Sequence, residues 1–246
     1  MPMQPVYSVY SRSNLAKYLP GNVMHLAGRN LLGNRLGISQ ADIGLATVLD
    51  LIMTLVTALI MTVVLSADYL IRTAQMIFDN ASYRTVLLIL AAVGCAAVVA
   101  LILIVKKRPK VRAYFSRFKA KTLAKACLLS FVNYAAVFTL LGLINCTIMS
   151  SILKVPMTPQ ETVTFMGLTI ISWTAGFIIP GAPGGLGVRE AIMVLIMAPV
   201  WGEKNVATAA VLLRIINLAG DLLLYLAGVI WTVAAERKSR KQEMEG

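Results

Sequence analysis

The chain has 246 residues, of which 58% are hydrophobic and 14% charged, with a formal net charge of +12. Soluble domains carry roughly a quarter charged residues, so these values, with a mean hydropathy of +0.77, exclude a soluble globular domain. The positive charge is no nucleic-acid signature, because it sits between apolar runs and at the C-terminal end, where the positive-inside rule places it.

In chain order, residues 1–40 come first: apolar pieces broken by Pro20, Gly21, Gly28 and Gly33 and dotted with Arg12, Lys17, Arg29 and Arg35. This pattern is too polar for a simple span and reads as a broken or partly inserted helical segment. Five full spans are expected next, near 43–66, 85–105, 125–147, 162–180 and 206–234. Thr85–Val105 is the clearest, with no charge over the length of about twenty residues that crosses the hydrocarbon core. Between the last two spans lies Pro180-Gly181-Ala182-Pro183-Gly184-Gly185. A short apolar helix, about 187–199, should follow it. The fold class is therefore an all-α integral membrane protein, a polytopic helix bundle with broken or re-entrant helices around its Pro-Gly motifs. The expected division is 1–40, a transmembrane bundle over 41–235, and a basic tail over 236–246.

Charge also predicts orientation. Lys106–Lys125 carries nine Lys or Arg and no acid, and should face the cytoplasm near anionic headgroups. Counting spans from there places the basic tail in the cytoplasm too. Only Tyr114, Phe115 and Phe118 interleave this cluster, so no nucleic-acid partner is expected. Cys95, Cys127 and Cys146 lie in apolar runs as packing residues. His25 has no ligand cluster near it, so neither a metal nor a cofactor is expected.

Ionisable residues inside apolar helices carry the chemistry, because a charge at the bilayer centre costs about 2.5–3.5 kcal/mol on insertion scales. Asp50 lies in the first span, Arg189 and Glu190 open the short helix, and Arg214, Asn217 and Asp221 share one face of the last span at i, i+3 and i+7. Gly184, Gly185 and Gly187 break the helix ahead of Arg189 and free backbone N–H groups for an anion. These residues form the candidate headgroup or phosphate site, with Arg29, Asp50, Pro20 and Gly21 as secondary candidates. The spacing Pro20-Gly21…Arg29 echoes Pro180-Gly181…Arg189, as in the paired broken helices of transporters. Blander readings stand beside these: an ordinary loop at the Gly-Pro break, a structural pairing of Arg214 and Asp221 with Glu190 or Asp50, and an interfacial Arg29. Trp201 and Trp231 read as interface anchors.

Asn14–Arg29, NLAKYLPGNVMHLAGR, resembles the K-Y-L-P-G … R segment near the front of the lysylphosphatidylglycerol synthase transmembrane-region family, Pro183–Ala191, PGGLGVREA, resembles its most characteristic segment, and Arg214 fits its late-helix arginine. The resemblance implies a bacterial or archaeal plasma-membrane protein. Its function would be that of a flippase-like lipid translocase, moving an anionic or aminoacylated phospholipid or a lipid-linked intermediate between leaflets. The alternative is a non-catalytic membrane partner of a lipid or glycan biosynthesis enzyme; a phosphatidylglycerol lysyltransferase ranks third, since no aminoacyl-transferase domain follows the last span. Members generally begin with about two more helices, so this chain is expected to be N-terminally shortened. Membrane lipids, anionic phospholipid in particular, are the expected partners, with a cytoplasmic or membrane transferase as a further candidate.

Overall fold

The computed structural model describes residues 39–79, 120–179 and 183–245. All regular structure among them is helical: α1 (Gln40–Asp79), α2 (Ala120–Thr147), α3 (Pro159–Ile178), α4 (Val188–Trp201) and α5 (Glu203–Glu245). Four helices are long and apolar enough to cross a membrane, over Asp42–Arg72, Lys121–Ile152, Pro159–Ile178 and Glu203–Ile230. They correspond to four of the five expected spans. The fifth, 85–105, lies outside the described residues, as do the segment 1–38 and the basic cluster up to residue 119.

Local sequence explains the helix ends. Ser39 accepts from the Asp42 backbone N–H at 3.1 Å and so caps α1. Thr158 and Glu161 form a reciprocal capping box at the start of α3, with Pro159 in the first turn. Gly202, at φ 83°, ends α4, its N–H donating to the Ala198 carbonyl at 2.9 Å. α4 has 14 residues, or about 21 Å of helix, short of the hydrocarbon core as expected. α1 is longer than the expected 43–66: residues 67–79 contain neither Gly nor Pro, so the helix continues past a kink at Ser66 (φ −126°, ψ 20°). A π-helical turn, Ile148–Ile152, follows α2 and leads through Lys154, at φ 57°, toward α3.

α3 is the central element, packed against α1, α2 and α4, while α5 packs on α4. Half of its most apolar window is buried, against 11–22% for the other three spans. The core is built on Phe165, Leu168 and Ile170 of α3, with Phe138 of α2, Met197 of α4 and Val206 of α5 around them. The outer faces stay apolar: Leu129, Leu195 and Leu223 are each about two-thirds exposed or more (68%, 75% and 66%). Large apolar patches of this kind are unfavourable in water and mark a lipid-facing surface.

Close approach depends on small residues. A Cβ on Gly167 would lie 1.8 Å from the Ser66 Oγ, so α1 and α3 cross where Gly167 makes room. Ser66 donates to the Thr164 carbonyl at 3.3 Å across this crossing. Tyr69 donates to the Ile196 carbonyl at 2.5 Å and ties α1 to α4. Trp201 is not an interface anchor. It is 7% exposed and meets Phe165 edge-on at 5.0 Å, because the α4 C-terminus turns inward onto α3.

Candidate functional site

The three glycines before α4 take conformations that side chains resist: φ is 57° at Gly184, 73° at Gly185 and 80° at Gly187. The turn they form brings the first residues of α4 against both α3 and α5. A cavity of about 30 Å³ lies there, and Ser172, Trp173, Arg189, Glu190, Arg214 and Asn217 are among its lining residues. Four of the candidate site residues, from two helices and up to 28 residues apart in sequence, thus meet around one recess.

Arg214 of α5 joins the pieces. Its Nη1 donates to the Gly184 carbonyl at 2.9 Å and lies 3.9 Å from the Glu190 Oε1. The two side chains are 16% and 23% exposed, so the pair is largely removed from solvent but still reachable. The second Glu190 oxygen, Oε2, is buried and has no hydrogen-bond partner among the described residues. A buried acceptor of this kind is costly unless a ligand or proton satisfies it.

Arg189 is seated differently. Its guanidinium carbon lies 4.9 Å from the centre of the Trp173 ring, a cation–π contact worth about 0.5–2 kcal/mol depending on desolvation. Trp173 is itself held between Phe177, stacked at 5.1 Å, and Phe138, edge-on at 5.1 Å. The arginine stem runs through a slot walled by two glycines. A Cβ on Gly176 would fall 2.2 Å from its Cγ, and one on Gly185 would fall 2.7 Å from its Nε.

Other candidates are placed elsewhere. Asp221 sits two turns beyond Arg214 on α5, outside the lining of the recess. Asp50 faces α2 and accepts from the Tyr134 hydroxyl. Arg29, Pro20 and Gly21 lie outside the described residues, as do Pro180 and Gly181 of the echo. Reading the charges alone missed Trp173, Ser172, Thr169 and Gly176. Their signal was present as small and polar residues at helical spacing on an apolar α3.

Lipid-facing spans around an ionisable recess define a polytopic α-helical membrane protein with a polar site held among its helices. A sequence model described as the lysylphosphatidylglycerol synthase TM region matches residues 14–224, and the chain belongs to that family. No curated protein and no solved structure matches it. Membership implies an association with membrane lipids.

Proposed function

We propose that this protein is a flippase-type lipid translocase that moves an anionic or aminoacylated phospholipid, or a lipid-linked intermediate, between leaflets of a bacterial or archaeal plasma membrane. One observation carries the reading: Arg189, Glu190, Arg214 and Asn217 meet around a single recess at the start of α4, within a bundle of apolar helices. A headgroup crossing the bilayer loses its hydration, and polar groups held inside the membrane lower that barrier by replacing the lost hydrogen bonds. Arg214 and Arg189 would hold the phosphate, with Glu190 facing a cationic group or a coupling proton.

The recess volume is enough for one or two waters, but too small for a phospholipid headgroup. In this reading the described conformation is closed, and α4 must move to admit substrate. Orientation follows from the basic segments, with the C-terminal tail in the cytoplasm. A fluorescent protein fused after Gly246 should then fluoresce, and a periplasmic reporter there should stay inactive.

The direct test is a leaflet-resolved lipid assay on reconstituted vesicles. Arg214→Ala should lower translocation by about tenfold or more, a loss of one charge-assisted contact in the transition state. Unchanged transport with a lowered melting temperature would make the cluster a structural tie, and a non-transporting membrane partner of a lipid or glycan transferase would become the better reading.

A further inference from the structure

α3 and α4 run antiparallel, and they meet in a series of contacts along their length. Trp173 faces Arg189 at the recess. One turn on, Thr169 and Met193 flank Asn145 of α2, whose Nδ2 lies 2.8 Å from the Thr169 Oγ1 and 3.8 Å from the Met193 Sδ. One turn further along α3, and two turns further along α4, Phe165 meets Trp201. Beyond Trp201 the chain turns at Gly202, Glu203 and Lys204, all exposed.

The middle contact is polar and incompletely satisfied. Thr169 donates its hydroxyl proton to the Phe165 carbonyl at 2.8 Å, so toward Asn145 it accepts. That fixes the amide, with its N–H₂ toward Thr169 and its Oδ1 turned away. Asn145 is fully buried at 0% exposure, and Oδ1 has no donor among the described residues. At the next contact the buried indole N–H of Trp201 has no acceptor among them either. With the Glu190 Oε2, three buried polar atoms without a partner among the described residues lie along the α3–α4 interface, Asn145 reaching it from α2. Buried polar groups are nearly always partnered, and exceptions point to a ligand, water or ion. Polar groups inside a membrane bundle mark the paths of polar species.

We propose that this seam is a water-accessible continuation of the recess, leading past Thr169 and Asn145 to the membrane face at the α4–α5 turn. On the translocase reading above, on which this part rests, the seam is the second leg of the headgroup route. From Glu190 to Trp201 it spans about 16 Å of helix rise, roughly half of the hydrocarbon core. Between Thr169 and Met193, Asn145 offers an acceptor to the hydroxyl or ammonium groups of a passing headgroup.

Accessibility is read on the full chain with its three cysteines replaced by alanine, reconstituted in vesicles. Asn145→Cys and Ile170→Cys are compared, since both positions are fully buried, and Asn145 lies outside the lining of the recess while Ile170 belongs to the apolar core. An impermeant methanethiosulfonate reagent, applied from either side, should modify the cysteine at 145 at least about tenfold faster than that at 170. Equal rates would overturn the seam. In the second arm, Asn145→Leu and the milder Asn145→Ser are assayed for lipid translocation and for binding of a short-chain phosphatidylglycerol. Translocation should fall about tenfold for the leucine variant with binding kept. Undiminished translocation would remove the headgroup route even where labelling succeeds. A chain that labels at 145 but moves no lipid at all would sink the translocase reading and leave the water-accessible seam standing.

Discussion

Gly176 is the residue on which the position of Arg189 turns. Any side chain there meets the arginine stem, since even a Cβ would lie 2.2 Å from Cγ. Gly176→Ala should therefore destabilise the protein by about 1–3 kcal/mol, the range for overpacking a filled site. Thermal unfolding in detergent would register this as a lowered melting temperature. Because the added methyl displaces Arg189 from Trp173, quenching or shift of the Trp173 emission should change as well. The Gly167 crossing allows a cleaner test. Gly167→Ala clashes with the Ser66 Oγ, and combining it with Ser66→Gly should recover part of the lost stability, a positive coupling that a double-mutant cycle measures. Simple addition of the two losses would show that the crossing is not limited by that contact. These effects were not legible from the sequence: a glycine in an apolar helix reads the same whether it faces lipid or a neighbour's side chain.

At the scale of elements, two ties carry separate expectations. The capping box at the start of α3 is exposed and local, so Thr158→Ala should cost about 1 kcal/mol, the usual worth of a capping side chain, read from the same unfolding curves. The Tyr134–Asp50 hydrogen bond joins α1 to α2. Its acceptor is a carboxylate, and a bond to a charged group contributes about 1.5–3 kcal/mol, so Tyr134→Phe should cost more than the cap does. A smaller loss than for Thr158→Ala would mean that α1 is held mainly by its crossing with α3. Helix existence and type were clear from hydropathy for α1, α2, α3 and α5, and the shortness of α4 from its bracketing glycines. The run of α1 past Ser66 was not, because a change in hydropathy marks the edge of the lipid rather than the end of a helix. The burial of Trp201 was also hidden, since a tryptophan before a Gly-Glu-Lys turn looks like an interfacial one.

For the whole molecule, the recess is too small in the described conformation for the ligand that its chemistry suits, so the translocase reading requires α4 to separate from α3. Thr169 and Met193 both line the recess and both contact Asn145, which makes them a pair on which to stop that motion. In a cysteine-free background, Thr169→Cys with Met193→Cys should translocate lipid when reduced and stop when oxidised, with recovery on adding a thiol. Transport that persists in the crosslinked protein would place the moving interface elsewhere in the bundle.

Hydropathy, charge placement and the two Pro-Gly motifs determined, by themselves, that this chain is a polytopic helical membrane protein of a lipid-associated family with ionisable residues among its spans. That much is local, since lipid forces each segment to satisfy its own backbone hydrogen bonds within a helix, and composition then decides which segments span. Only the tertiary structure decided which charges meet. Asp50 and Asp221 were as eligible as Glu190 to pair with Arg214, and Trp173 and Gly176 carried no charge to draw notice. The choice came from the left-handed turn at Gly184–Gly187 and the close seating of that turn on α3. These set the rotation of α4, and no periodicity along a single helix encodes a rotation relative to its neighbours.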